Sequence, residues 1–299
     1  MEQDADINND SIPSPLMITA SIVTYRNSAE DLYNVLSSAL SAPISRIYIV
    51  DHSPDAEVWI LLNREPRLKE LLKNVRHIVE YEQAENRGFG AGHNRAIRKS
   101  MELGADYHLI LNPDIKWGVT DTVVEELADY MNHHPDVGMI TPKVLFPDGR
   151  LQYTCKLLPT PLDLIGRRFL PKSWTRKRNE RFELRFTGYD HIMNVPYMHG
   201  CFMMFRNETL KKTGLFDERF FMYPEDIDIT RRLHEVSETI FYPYVSIYHV
   251  HGAASRKFGK MLWIHITNMV RYFNKWGWWI DPKRRKANRK LLERESKQH

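Results

Sequence analysis

MITASIVTYRNSAEDLYNVLSSALSAPISRIYIVD, residues 17–51, places an apolar run, a polar break, an amphipathic stretch and a second apolar run in one short span. Met17–Val23 is rich in β-branched residues and reads as a strand that ends at Thr24-Tyr25-Arg26-Asn27-Ser28. Ser28 can cap a helix on which Leu32, Val35, Leu36 and Leu40 recur at helical spacing. Arg46–Val50 is then a second strand, with Asp51-His52-Ser53 at its C-terminal end. Ligands bind at that end in open α/β sheets, so Asp51 is either a binding residue or a turn-forming Asp ahead of Pro54.

Downstream, helical spacing over Val58–Leu72 is interrupted by Pro66, and Val75–Tyr81 supplies a third strand. The alternation β-α-β-α-β argues for a largely parallel sheet with helices on both faces and right-handed crossovers. Upstream, residues 1–15 are acidic and polar, which predicts a disordered tail and neither a secretory signal nor a membrane anchor.

The third strand feeds Glu85-Asn86-Arg87-Gly88-Phe89-Gly90-Ala91-Gly92-His93-Asn94 and a helical segment through Ile97 and Met101. A glycine-rich loop before a helix N-terminus suits a phosphate or serves as a purely structural loop. It matches neither the dinucleotide fingerprint nor a P-loop. A fourth strand, Tyr107–Leu111, runs into Asn112-Pro113-Asp114, where Asp114 either holds a divalent cation such as Mg²⁺ or Mn²⁺ or only makes a turn. A helix over Val123–Met131 and strands at Val137–Ile140 and Lys143–Phe146 follow. Residues 158–187 then hold prolines, basic residues and isolated aromatics without periodicity, and read as an insertion near the entrance of a site.

Regular patterning resumes with a buried strand, Cys201–Phe205, directly after Gly200, and with strands at Thr239–Tyr242 and Val245–Tyr248. Between them lies Gly214–Leu233, GLFDERFFMYPEDIDITRRL, with Asp217 and Glu218 before the aromatics and Glu225, Asp226 and Asp228 after Pro224. Pro224 suits the first turn of a helix. The acids there either complement the helix dipole or include a general base at a cleft wall. His249, at the end of the last strand and shortly before Gly252, is a metal or phosphate ligand or an ordinary surface or satisfied histidine.

A chain of 299 residues with 42% hydrophobic content can bury a substantial core. Cys155 and Cys201 stand too far apart for a metal-type spacing or a disulfide framework, which favours a reducing compartment. The net charge of +4 conceals two basic regions, Arg167–Arg185 and Pro282–Lys297. No nucleic-acid motif accompanies them, so nucleic acid is not an expected partner; an anionic membrane surface or a solvated face fits instead. No window has the roughly 20 apolar residues that a spanning helix needs. In Lys257–Ile280, Trp263, Phe273, Trp276, Trp278 and Trp279 interleave with Lys260, Arg271 and Lys275, as at a membrane interface, although core packing accounts for them equally.

In their order, Thr24-Tyr25, Asp51, Asn86 through Asn94, Asn112-Pro113-Asp114, Gly214 through Glu218, Glu225-Asp226-Ile227-Asp228 and His249 with Gly252 resemble the motifs of the family 2 glycosyltransferases over residues 17–275. Within that inverting family, the nearest likeness is to the rhamnosyltransferase-like branch of bacterial surface-polysaccharide assembly. The resemblance implies a GT-A domain over 16–256 and a C-terminal helical extension over 257–299. It implies a nucleoside-diphosphate sugar donor and a lipid-linked or oligosaccharide acceptor. It further implies that Thr24, Tyr25 and Asp51 line the base and ribose pocket, with Asn86, Gly88, Gly90, Asn94, Asn112, Gly200 and Glu225 as further substrate contacts. Asp114 and His249 would hold Mg²⁺ or Mn²⁺, and Asp226 would be the base. Asn112-Pro113-Asp114 departs from the family's Asp-x-Asp pattern and leaves Asp114 as its single carboxylate. Cytoplasmic residence, peripheral at the inner face of the membrane, is the implied location, and a homodimer is compatible with it. The competing readings are a catalytically silent nucleotide-sugar-binding subunit and a sugar nucleotidyltransferase, which would need a glycine-rich basic signature where Thr24–Ser28 has no glycine.

Overall fold

The computed structural model describes residues 16–118, 120–166, 172–250 and 259–297. The expected disordered tail, the centre of the basic insertion (167–171), and His251 and Gly252 lie outside the described residues.

The opening stretch folds as read. β1 (Ile18–Thr24), α1 (Ala29–Ser41) and β2 (Arg46–Asp51) form a β-α-β unit with its two strands paired in parallel. The α1 N-terminus is fixed by a capping box in which Ser28 and Asp31 exchange hydrogen bonds. Pro66 divides the next helical stretch into α2 (Glu57–Arg64) and α3 (Pro66–Leu72). The third strand starts later than its composition suggests: Arg76–Ile78 is a 3₁₀ turn and β3 spans Val79–Gln83.

Then come α4 (Phe89–Glu102), β4 (Tyr107–Leu111), β5 (Ile115–Trp117), α5 (Val123–His133) and β6 (Val137–Leu145). The two strands expected at 137–146 are one continuous strand. Residues 158–187 are more ordered than their lack of periodicity implies, since α6 (Lys172–Phe182) lies within them. The short strands β7 (Cys155–Lys156), β8 (Met193–Asn194) and β9 (Tyr197–Met198) flank this region. β10 (Phe202–Arg206), α7 (Asn207–Thr213), α8 (Glu225–His234) and β11 (Glu238–His249) complete the sheet region. β11 joins the two last expected strands through a register shift between Tyr242 and Ser246, next to Pro243, which has no N–H for the ladder. Two helices follow, α9 (Lys260–Trp276) and α10 (Pro282–Glu295).

Among the described residues, the main sheet runs β3-β2-β1-β4-β10-β6-β11-β5, with β8 beside β11. β3, β2, β1 and β4 are parallel, and β10 enters antiparallel between β4 and β6. The reversal has a functional consequence. Thr24 is level with Asp51, and Phe202 with Leu111, so the C-terminal ends of β1, β2 and β4 and the N-terminal end of β10 share one sheet edge. At the far side, β5 starts opposite the end of β11, with Ile115 facing His249.

The sheet is buried on both faces. On β10, Phe202 and Met204 belong to one apolar cluster with α1, α2, α3 and α5 residues, while Met203 and Phe205 belong to another with α4, α8 and α9. β1 instead turns Thr19 and Ser21 toward α4. Ser21 Oγ joins His93 Nδ1 at 2.7 Å to His108 Nε2 at 2.8 Å, and Thr19 Oγ1 joins His108 Nδ1 to Ser100 Oγ. Burial holds His108 far below the usual histidine range, at about 3, so this network is neutral. Ser21→Ala strips both imidazoles of a buried partner and is expected to cost roughly 1–3 kcal/mol in urea unfolding; an unchanged midpoint would refute the role given to Ser21.

Candidate active site

Three groups of side chains meet the shared sheet edge. The first surrounds Asp51, which is fully buried and accepts from Thr24 Oγ1 (3.1 Å), the Ser53 N–H (2.8 Å) and the Tyr81 hydroxyl (2.9 Å). Tyr25 beside it is 53% exposed, an aromatic face open to stacking on a planar ligand. Arg26 adopts a positive φ of 54°, held by its N–H to Ser53 Oγ.

The second group lies where β4 passes to β5. Gln152 donates from Nε2 to the His249 carbonyl (2.7 Å), which turns its Oε1 toward His249 Nδ1 (3.0 Å). An acceptor facing Nδ1 places the ring hydrogen there and directs the Nε2 lone pair toward Asp114 Oδ1, at 3.4 Å, and Asn112 Nδ2, also at 3.4 Å. Asp114 Oδ1 is buried and has no hydrogen-bond donor among the described residues. A ring nitrogen and a carboxylate oxygen at that separation are spaced to ligate one cation together. The sequence gives no cue to Gln152, since its partner is 97 residues away.

The third group is at the start of α8. Pro224 is the N-cap rather than the first helical residue, and Glu225, Asp226 and Asp228 occupy the first turn. Tyr223 before it has a φ of 91°, a left-handed conformation that is strained for a tyrosine. Asn268 of α9 fixes the neighbouring Met222 carbonyl at 3.0 Å. Asp226 is 6% exposed; its Oδ2 accepts from the Gly200 N–H (3.2 Å) and its Oδ1 from the Ile227 N–H (2.7 Å). Burial pushes its carboxyl up to about 7, with the Lys156 ammonium working the other way. Burial together with the Asp226 charge pushes Glu225 well above the carboxylate range, and Glu225 Oε2 has no hydrogen-bond partner among the described residues. Asp228 points elsewhere: it is fully buried and held by Arg232 (2.9 Å), Lys275 (2.6 Å) and the Trp276 indole N–H (2.8 Å).

Gly200 and Cys201 tie the second group to the third. The Gly200 N–H binds Asp226, and the adjacent Cys201 carbonyl accepts from the Asn112 N–H at 2.9 Å. A Cβ on Gly200 would lie 3.3 Å from Asp226 Cβ and 3.6 Å from the Phe89 ring, so a side chain there would press on the carboxylate. The glycine-rich loop closes over the same place. Gly88 has a φ of 104°, and a Cβ on it would strike the Phe221 carbonyl oxygen at 2.2 Å. The Phe89 N–H donates to that carbonyl (3.0 Å), and Asn86 Oδ1 accepts from the Gly88 N–H (3.2 Å). Gly90 backs onto the Phe216 side chain. Asn94 is directed inward: its amide donates to the Phe216 carbonyl (2.9 Å) and Glu218 (3.0 Å) and accepts from the Phe216 N–H (3.0 Å). This loop therefore joins α4 to the acidic stretch, and Asn94 acts on the cleft through that junction.

The arrangement sets an exposed Tyr25 ring beside the buried Asp51, Asp114 at 3.4 Å from His249, and a buried Asp226 carboxylate held by the Gly200 N–H. A family model described as glycosyltransferase like family 2 matches residues 15–274. The chain is similar to the N-acetylglucosaminyl-diphospho-decaprenol L-rhamnosyltransferase of Mycobacterium tuberculosis, with 24% identity over 83% of this chain and 81% of that one. It is 26% identical to the rhamnosyltransferase WbbL of Escherichia coli K12 over 73% and 83% of the two chains. Among solved structures, it superposes on GalNAc-T7 with UDP, GalNAc and Mn²⁺ with a TM-score of 0.60 and 14% identity, over 88% of this chain and 48% of that one. The mannosyltransferase PcManGT of Pyrobaculum calidifontis, with GDP-Man and Mn²⁺, gives 0.53 and 17%, over 88% and 65%. The chain thus spans about half to two thirds of these two structures, whose likeness is one of fold.

Proposed function

Because the chain belongs to glycosyltransferase family 2 and has the GT-A fold, we propose that it is an inverting sugar transferase acting from a nucleoside-diphosphate sugar onto a hydroxyl of a lipid-linked glycan. Rhamnose on a deoxythymidine diphosphate is the favoured donor, in keeping with the relatives named rhamnosyltransferases. The observation that carries this reading is the buried, basic Asp226 carboxylate, held by Gly200 one residue from the Cys201 carbonyl that binds Asn112.

Asp226 takes the proton of the acceptor hydroxyl while that oxygen attacks the anomeric carbon from the face opposite the diphosphate. The glycosidic bond forms as the bond to the diphosphate oxygen breaks, and the electron pair leaves with the nucleoside diphosphate. Glu225, held protonated by burial and by Asp226, keeps a second negative charge away from the base. Tyr25 and Asp51 receive the nucleoside.

Asp114 and His249 would hold a divalent cation as two protein ligands; no group of three or more His, Cys, Asp or Glu is found among the described residues, so its other ligands would be donor phosphates and water. Bound there, Mg²⁺ or Mn²⁺ supplies positive charge against the departing diphosphate. No helix among the described residues is long and apolar enough to cross a membrane; we place the enzyme peripherally at a membrane surface, where a lipid-linked acceptor is found.

Thermal-shift titration with nucleoside diphosphates and Mn²⁺ tests this function. A ligand at about 100 times its Kd stabilises the native state by about 2.7 kcal/mol, a rise of several degrees. The Mn²⁺-dependent part of the rise is expected to need roughly 10- to 100-fold more metal in Gln152→Leu, which removes the acceptor that orients His249 Nδ1. No shift with any nucleoside diphosphate would contradict the function.

A further inference from the structure

The face formed by α6, α10 and the turn between α9 and α10 holds a groove of about 750 Å³. Its lining divides chemically. Arg181, Arg285 and Arg289 supply exposed guanidinium groups against a single lining carboxylate, Glu293, and Phe186, Trp279 and Leu292 supply apolar surface. Arg289 has a long contact with Glu293 (3.9 Å), and no carboxylate partner is seen for Arg181 or Arg285 among the described residues. Trp279 on the groove wall is 63% exposed, and Ile280, next to it in the chain, is 79% exposed.

The groove is built, not incidental. Arg284, 3% exposed, reaches the carbonyls of Pro159, Gly277, Trp278 and Trp279, so one buried guanidinium shapes both the floor and the turn that carries the tryptophan. The Asn288 amide clamps Leu158 through both backbone groups, at 2.8 and 2.9 Å. Thr160, on the groove wall, lies four residues beyond Lys156, whose charge acts on Asp226. That separation spans at most ~14 Å of chain.

We propose that this groove is the seat of an anionic membrane phospholipid: Arg181, Arg285 and Arg289 take its phosphate, and Trp279 and Ile280 enter the interfacial layer. The proposal rests on the peripheral attachment inferred above and gives that attachment a place. A soluble anion explains the arginines but leaves Trp279, Ile280, Phe186 and Leu292 without a role, whereas a phospholipid matches both halves of the lining. Docked through this face, the protein carries the Lys156 and Asp226 side of the cleft next to the bilayer, where a lipid-linked hydroxyl arrives.

The test is sedimentation of the full chain with vesicles of phosphatidylglycerol or phosphatidylcholine at low salt, for wild type, Arg285→Glu/Arg289→Glu and Trp279→Ala. Both arginines are exposed on α10, so the double variant is expected to keep the wild-type melting temperature and rate of donor hydrolysis. Wild type is expected to bind phosphatidylglycerol selectively, and each variant to lose at least about tenfold in affinity. Equal binding by the variants would overturn the groove while leaving membrane attachment in place. Wild-type protein that ignores phosphatidylglycerol would overturn both, with donor turnover in solution judging the transferase reading separately. Displacement from vesicles by millimolar inorganic phosphate, with Trp279→Ala behaving as wild type, would make the groove a free-anion site and overturn the phospholipid.

Discussion

Asp226→Asn is expected to lower sugar transfer by about 10²- to 10⁴-fold, the contribution of a positioned general base, and at the same time to raise the melting temperature at pH 8. The second effect follows from burial. The native carboxyl is pushed up to about 7, whereas an unfolded Asp titrates near 3.9. Between those values the native state holds a proton that the unfolded chain has released, so wild-type stability declines as pH rises through this window. Above pH 7 the full penalty is present, a few kcal/mol on the scale of about 1.4 kcal/mol per pKa unit. Asn carries no charge and escapes it. The variant's advantage is therefore largest at pH 8, roughly 5–10 °C for a chain of this size, and vanishes near pH 4. A helix-capping acid gives the opposite result, because its loss costs stability and spares activity. Wild-type turnover in Asp226→Asn would remove the base assignment.

Asp281→Ala is expected to destabilise the protein by about 3–5 kcal/mol, a fall in melting temperature on the order of 10 °C. Arg231 of α8 is 2% exposed and pairs with Asp281, the N-cap of α10, through two bonds of 2.7 and 2.8 Å. Its guanidinium lies 3.9 Å from the centroid of the Trp276 ring. Removing the carboxylate leaves a charge buried without its partner in the helix that carries the base. Replacing both residues with apolar ones, Arg231→Met/Asp281→Leu, is expected to recover most of the loss, since the pair's own net worth is small once desolvation is counted. Urea unfolding of the three proteins checks this. A loss below about 1 kcal/mol in Asp281→Ala would mean that the C-terminal helices do not hold α8 in place.

The parts legible in the sequence are those governed by neighbours in the chain. The strand, helix and strand of residues 17–51 follow from apolar spacing and the Ser28 cap, and the sheet edge that gathers Asp51, Asn112 and Asp114 follows from strands ending in polar clusters. The acids after Pro224 mark a helix start, as the structure shows. What a single chain hides is the partner. Gln152 and His249, Arg231 and Asp281, and Asn94 and Phe216 are 97, 50 and 122 residues apart, and local composition does not pair them. Asp281-Pro282 has the composition of a helix start, but the burial of Arg231 and its pairing with Asp281 come only from the fold. The aromatic and basic residues after Lys257 show the same limit. Phe273 packs in the core, and Trp276 and Lys275 turn inward to Asp228, while Trp263 and Trp279 face outward at 71% and 63% exposure. One composition serves both packing and surface: helical phase separates Trp263 from Phe273 on α9, and Trp279 is turned outward by the turn that follows.

In the proposed reaction, Asp51, Asp114 and His249 form the donor half of the cleft and Asp226 the acceptor half. Calorimetric titration of nucleoside diphosphate with Mn²⁺ into wild type, Asp114→Asn and Asp226→Asn, with turnover measured on the same samples, tests it directly. Asp226→Asn is expected to keep wild-type affinity and lose turnover, and Asp114→Asn to bind about 10-fold or more weakly. Equal losses of nucleotide affinity in the two variants would contradict that division.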